Sequence, residues 1–222
     1  MPKKIIAIDG PAGAGKSTVA RLVAKELNYL YIDTGAMYRA LTYKAMKMGI
    51  PLTDAKLLTQ LSHHTEIELI NENGNINVIC DGKDISQEIR DPEVSKNVSF
   101  VALVKGVREK MVEAQRQMTK NGGVVMDGRD ICTVVLPQAD CKIFLTASVE
   151  ERARRRCKEL AEKGYPVSLE EVKEDIYRRD LLDIEREVGP LIQAPDACLI
   201  DSTGLKIEDI VQKILDICWE GE

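Results

Sequence analysis

Hydrophobic positions along the chain follow two rhythms. Short apolar runs of the kind buried on both faces of a parallel sheet recur as Ile5-Ile6-Ala7-Ile8, Tyr29-Leu30-Tyr31-Ile32, Val124-Val125-Met126, Lys142-Ile143-Phe144-Leu145 and Ala197-Cys198-Leu199-Ile200. Between them apolar residues return at steps of three and four, the helical period. Val19, Leu22, Val23 and Leu27 predict a first helix, and a second ends near Lys47 ahead of Gly49 and Pro51. A longer helical stretch over 92–120 is expected to break near Gly106 and to close at Gly122-Gly123. Two charged helices over 149–163 and 168–187 flank a Gly164-Tyr165-Pro166 turn, and the last helix carries Ile207, Ile210, Val211, Ile214, Leu215 and Ile217. Strands alternating with helices predict an α/β fold built on a doubly wound five-stranded parallel sheet.

One segment departs from this rhythm. Residues 65–83 alternate apolar with polar side chains around Asn73-Gly74-Asn75 and Asp81-Gly82 turn signals, which predicts a small antiparallel insertion.

With 222 residues, 44% hydrophobic and 30% charged, the chain has enough apolar material for a sizeable core. Its formal net charge of -5 argues against broad binding to nucleic acid or anionic membrane, and no segment has the length to span a bilayer. Lys3 and Lys4 precede an apolar run, but Asp9 ends it after four residues, so no export signal is expected. The six cysteines form no Cys-x-x-Cys pair; they are expected to be free thiols in a reducing, cytoplasmic setting, with Cys141 and Cys198 as small core residues. His63-His64 lacks a metal-ligand pattern and is expected at the surface.

The chemistry starts at the end of the first strand. Gly10-Pro11-Ala12-Gly13-Ala14-Gly15-Lys16-Ser17, followed by Thr18, has glycine and Gly-Lys-Ser at the spacing of a phosphate-binding loop, with a buried strand before it and a helix after it. Glycines let the backbone turn its N–H groups onto an anion, and the helix N-terminus adds donors and partial positive charge. Lys16 is placed to reach β- and γ-phosphates, and the Ser17 hydroxyl to ligate Mg²⁺. An ordinary Gly-rich turn would not need this full spacing.

The loop alone does not choose a substrate. A GTPase would carry an Asn-Lys-x-Asp base-reading motif, and none is present. What the chain has instead is Arg39, Arg108, Arg129, Arg179 and Arg186, each able to offer a planar fork to a second phosphate. Arg179, Asp183 and Arg186 are expected on one helix face, where Asp183 can accept from a base amine; a self-paired Asp–Arg ladder has the same spacing. Arg152, Arg155 and Arg156 share a face of the preceding charged helix, which together with the Gly164 turn suits a helical lid carrying cations to a transferring phosphoryl group. Glu150 with Arg154 and Glu151 with Arg155 are spaced to pair along it.

These motifs in combination resemble the bacterial cytidylate kinase family: the phosphate loop, Asp33-Thr34-Gly35-Ala36-Met37-Tyr38-Arg39, Asp127-Gly128-Arg129-Asp130, the alternating insertion, and Arg178-Arg179-Asp180 through Asp183 to Arg186. The resemblance implies a P-loop NTPase-like nucleoside monophosphate kinase, with core 1–36, 92–150 and 188–222, an acceptor-binding region 37–91 and a lid 151–187. It further implies ATP-dependent phosphorylation of CMP and dCMP with Mg²⁺, in a cytoplasmic monomer without nucleic-acid or membrane partners. Another small-molecule P-loop kinase, of shikimate or dephospho-coenzyme A type, is the alternative. By position, Gly10, Pro11, Ala12, Gly13, Ala14, Gly15, Lys16, Ser17 and Thr18 would hold ATP. Thr34, Arg39, Ser99, Arg108, Arg129, Asp130, Arg179, Asp183 and Arg186 would surround CMP, with Ser99 and Asp130 reading the cytosine amino edge and Asp183 the sugar hydroxyls. Lys16, Arg152, Arg155 and Arg156 would carry catalysis. One departure is Cys132, where the family pattern Asp-Gly-Arg-Asp-x-Gly-Thr has glycine; a side chain there is expected to cost backbone freedom beside Asp130.

Overall fold

The computed structural model describes residues 3–72 and 75–219. Its centre is a five-stranded, all-parallel sheet in the order β2-β6-β1-β7-β8, formed by β1 (Ile5–Asp9), β2 (Leu30–Asp33), β6 (Val124–Gly128), β7 (Cys141–Thr146) and β8 (Cys198–Asp201). Alternation along β1 sends Ile6 and Ile8 to one face, where they meet Val19 and Val23 of α1 (Lys16–Leu27) and Ile210 and Ile214 of α8 (Ile207–Trp219). Ala7 goes to the other face with Ile32, Met126, Ile131 and Val135. Helical cover on both faces makes this a P-loop NTPase-like α/β fold, as expected.

The predicted insertion is an antiparallel sheet of β3 (Ile67–Glu72), β4 (Asn75–Cys80) and β5 (Lys83–Asp84). Its Asp81-Gly82 turn has left-handed backbone at both residues, whereas the Asn73-Gly74 turn lies outside the described residues. The insertion packs Val78, Cys80 and Ile85 onto Ala36 and Ala40 of α2 (Thr34–Lys47).

Several boundaries differ from the sequence expectation. The long helix divides into α4 (Pro92–Leu103) and α5 (Lys105–Met118), broken by extended backbone at Val104 and not at Gly106. Gly106 is instead a close-approach site: a Cβ there would strike the Thr59 side chain of α3 (Ala55–His63), a helix the periodicity did not reveal. The charged pair is α6 (Val149–Glu162) and α7 (Leu169–Glu185). α7 begins with a capping box between Ser168 and Glu171 and ends before Arg186, whose backbone is extended, so Arg186 is not on the helical face shared by Arg179 and Asp183. Cys198 is exposed because β8 is an edge strand, and Cys141 is disulfide-bonded to Cys218, joining β7 to α8 across a Cα–Cα distance of 5.4 Å. Free thiols are Cys80, Cys132, Cys157 and Cys198. His63 and His64 are exposed, and no described helix is long and apolar enough to cross a membrane.

Candidate active site

The phosphate loop, the Asp33–Arg39 motif and the Asp127–Asp130 motif emerge at the carboxyl ends of β1, β2 and β6. At the tip of β1 the chain turns through Gly10, Gly13 and Gly15 with positive φ, and a Cβ on Gly10 would collide with the Leu145 carbonyl of neighbouring β7. Gly15 caps α1, so Lys16, Ser17 and Thr18 form its first turn. Lys16 is buried and donates to the Pro11 carbonyl at 2.8 Å. Burial pushes its pKa well down, and the nearby Arg129 guanidinium is the next cause, with Arg179 also acting in that direction. A buried lysine among arginines is a site that gains by receiving an anion.

Pairing of β1 with β6 sets Ile8 opposite Asp127 and Asp9 opposite Gly128, which carries the second motif to the phosphate loop. Asp127 accepts from the Ser17 hydroxyl at 2.9 Å and the Tyr31 hydroxyl at 2.7 Å. Thr34 donates to the Asp127 carbonyl at 2.7 Å, fixing the start of α2. Burial first, and the neighbouring Asp33 charge second, raise the Asp127 carboxyl to about 6. A hydroxyl and a carboxylate side by side at a phosphate-loop helix are the hard oxygen donors that suit Mg²⁺, so the residues present fit that ion.

The arginines converge through acid partners. Arg39 pairs with Asp33 at 2.8 Å. Arg129 donates from Nε to Asp183 at 2.8 Å. Arg108 is hydrogen-bonded to Asp130, which also lies 3.3 Å from Arg186, and Arg186 lies 3.6 Å from Asp183 and donates to the Gly189 carbonyl. Asp183 is held below the usual carboxylate range by Arg129, Arg179 and Arg186, which together outweigh its burial. Arg179 carries a buried Nε without a hydrogen-bond partner. Its pKa is lowered to about 10, first by burial and then by Arg129, with Arg39 and Arg156 adding to the effect. Guanidinium groups from α2, α6, α7 and the turn after β6 therefore share one field. Ser99 is buried on α4, which packs against α7. The Asp–Arg ladder is thus real, but it links elements distant in sequence more than it runs along one helix.

On α6, Arg152 is buried and donates to the Ala147 and Ala12 carbonyls at 3.1 and 3.0 Å and to Asp180 at 2.6 Å. Arg155 pairs with Glu151 at 3.0 Å as its spacing predicts, and reaches Ala14 and Ser202. Arg156 pairs with Glu159 at 2.7 Å, and Glu150 lies 3.8 Å from Lys173.

The family model for cytidylate kinase matches residues 6–220. The chain is 57% identical to the cytidylate kinase of Bacillus velezensis over 98% of this chain and 97% of that protein. It is 54% identical to the Bacillus subtilis cytidylate kinase, over 97% of each. The chain belongs to the cytidylate kinase family.

It is accordingly a phosphotransferase. A crystal structure of an uncharacterized protein from Eubacterium ventriosum shares the fold, with a TM-score of 0.53 at 11% identity over 96% of this chain and 97% of that one. Within this cytidylate kinase frame, Cys132 meets no conformational obstacle. Among the described residues only Asn28 and Asp81 are non-glycine residues with positive φ. The Cys132 N–H donates to Asp9 at 2.7 Å beside the Ile131 N–H at 2.8 Å, anchoring the π-helical turn Ile131–Val135, and its thiol fills a buried space near the Ala7 and Ile143 carbonyls. The expected cost of losing glycine there does not arise.

Three side-chain or backbone positions in the site escaped the sequence reading. Asp127 was legible only as part of a motif, because its partnership with Ser17 depends on β1 lying beside β6. Asp180 meets the phosphate loop from α7. Gly189 has φ of 61° and leaves no room for a Cβ against Asp130, a requirement that a Val-Gly-Pro sequence only hints at.

Proposed function

We propose that the chain transfers the γ-phosphoryl group of ATP to CMP and dCMP, giving CDP and dCDP. The single observation carrying this reading is that β1 lies beside β6 with Asp9 opposite Gly128, so the phosphate loop and Arg129 leave neighbouring strand tips, joined by the Ser17–Asp127 hydrogen bond. ATP phosphates would lie on the N–H groups of residues 10–18 with Lys16 at the β- and γ-phosphates. Ser17 and Asp127 are the residues that would hold Mg²⁺, which neutralises phosphate charge when bound.

Arg39, Arg108, Arg129, Arg179 and Arg186 would grip the acceptor α-phosphate; Thr34, Ser99, Asp130 and Asp183 would orient the nucleoside, with Ser99 and Asp130 at the cytosine amino edge and Asp183 at the sugar. An α-phosphate oxygen attacks the γ-phosphorus as the bond to the β–γ bridging oxygen breaks, and ADP leaves with that electron pair. No side-chain base is needed, since the acceptor phosphate is already anionic. Arg152, Arg155 and Arg156 would supply positive charge as it spreads over the migrating group. Separate apolar clusters, one around Ala153, Leu160, Val172 and Ile176 and another between α2 and the β insertion, support treating residues 151–187 as a lid and 37–91 as an acceptor-binding region. A monomer working in the cytoplasm completes the reading.

Steady-state ADP release with CMP, dCMP, UMP, AMP and GMP tests it. CMP and dCMP should lead by a wide margin; preference for AMP or GMP would overturn the acceptor assignment.

A further inference from the structure

The Arg152 guanidinium is fastened with unusual completeness. Its Nε donates to the Ala147 carbonyl, while Nη1 donates to Ala12 of the phosphate loop and, at 2.6 Å, to the Asp180 carboxylate. Both Nη1 hydrogens are therefore spent inside the protein, and among the described residues Nη2 donates no hydrogen bond, leaving it as the one terminal nitrogen available to a ligand. Asp180 reaches further. Its second oxygen accepts from the Ala12 N–H at 3.4 Å, so one carboxylate touches both the cation and the donor loop. The side chains of the pair are 6% and 14% exposed, which protects the bond from solvent competition.

Two features separate Asp180 from an ordinary ion pair. It binds across three parts of the chain, from α7 to α6 and to the loop after β1, whereas an ion pair along one helix surface would fix nothing beyond itself. It is also adjacent in sequence to Arg179 and one turn from Asp183, so the helix that presents the acceptor-side charges is the helix that meets the donor loop.

The geometry points to Asp180 as a positioning residue for phosphoryl transfer: it holds the Arg152 guanidinium at the mouth of the phosphate loop, in the orientation that turns Nη2 to the migrating group. Asp180 itself touches neither substrate. This rests on the transfer proposed above. A guanidinium fixed in advance stabilises developing charge without reorganising, and a group displaced by about 1 Å can lose on the order of 100-fold in rate.

The test is kinetic, on the full chain with MgATP. Asp180→Ala should lower kcat on the order of 100-fold with KM for CMP changed by less than about threefold, while KM for ATP separately reads the loss of the Ala12 contact. Asp180→Asn keeps an acceptor oxygen for Arg152 at nearly the same shape and should recover part of the loss; it also serves if the alanine variant folds poorly. In an Arg152→Ala background, Asp180→Asn should cost nothing further, since its effect runs through that arginine. A wild-type kcat in Asp180→Ala, or an equal loss from Asp180→Asn with and without Arg152, would overturn the assignment. Each enzyme is also assayed for slow ATP hydrolysis with water as acceptor. Wild-type protein that hydrolyses ATP but ignores CMP marks an error in the acceptor, and the same Asp180 comparison then reads out on hydrolysis.

Discussion

The donor and acceptor halves of this site are built by opposite means. The donor cradle is contiguous backbone: eight consecutive residues at one strand-to-helix turn, shaped by glycines at positive φ. The acceptor half is assembled from side chains on α2, α4, α5 and α7 and in the segments that follow β6 and α7, brought together from across the chain. In place of backbone geometry it uses charge. Arg39 rests on Asp33, Arg129 on Asp183, and Arg108 and Arg186 on Asp130, so these four cations are held by acids until a phosphate arrives. A backbone cradle tolerates loss of one side chain structurally but not chemically. A charge-paired site, by contrast, ties its chemistry to its stability, because removing one partner leaves the other buried and uncompensated.

The sharpest separation should come from Lys16→Met. Turnover is expected to fall 10³-fold or more, equivalent to about 4 kcal/mol of transition-state stabilisation. Thermal stability should hold or rise, since burial already disfavours that ammonium. Asp130→Ala should do the reverse on stability: Arg108 loses its main carboxylate partner, and unfolding free energy is expected to drop by about 3 kcal/mol, the low end for a broken buried pair because Arg186 retains Asp183. Denaturant unfolding measures it, and an unchanged midpoint would end the claim that the acceptor half is held together by its charges. Arg129→Ala comes next, with an acceptor KM raised on the order of 100-fold, about 2.7 kcal/mol, while KM for ATP stays near its wild-type value. Equal losses for both substrates would erase the division between the halves.

The two means of construction also decide what could be read in advance. The phosphate loop, the five strands and the antiparallel insertion are legible because each is a local pattern, periodic or contiguous. The acceptor residues were reached one at a time, by resemblance and by their place at strand ends; of their pairings only the neighbouring Asp183–Arg186 contact was anticipated, as a ladder, and the long-range ones were not. Nothing in the local sequence says that Asp130 will meet Arg108, or that Asp127 will meet Ser17; both follow from β6 inserting between β1 and β2. Cys141 and Cys218 lie 77 residues apart and meet only because α8 packs under β7, which is why composition suggested free thiols. Gly106 misled for the opposite reason. It has the look of a helix breaker, yet the glycine is required by the closeness of Thr59, a tertiary fact with no trace in the residues beside it.

Arg179 gives the finest test of the contrast, because it is the acceptor cation least satisfied by its partners. Its buried Nε lacks a hydrogen bond, and burial first, then Arg129, lowers its pKa from the ordinary arginine value to about 10. A base whose folded pKa is depressed binds fewer protons folded than unfolded across that window, so the unliganded protein should gain stability as pH rises from about 10 towards the ordinary arginine value. Below the window the penalty is fully present. Arg179→Met should therefore raise the melting temperature of the unliganded protein at pH 8 while weakening CMP binding. A bound phosphate reverses the balance: it favours the charged form, so binding takes up a proton, and CMP affinity should fall about tenfold per pH unit above pH 10, or 1.4 kcal/mol per unit. Calorimetric titrations from pH 8.5 to 11 on the wild type and Arg179→Met check this directly. Only the wild type should show the decline; parallel pH profiles, or a lowered melting temperature in the variant, would mean that Arg179 is a satisfied structural residue and that the acceptor half keeps no charge in reserve for its ligand.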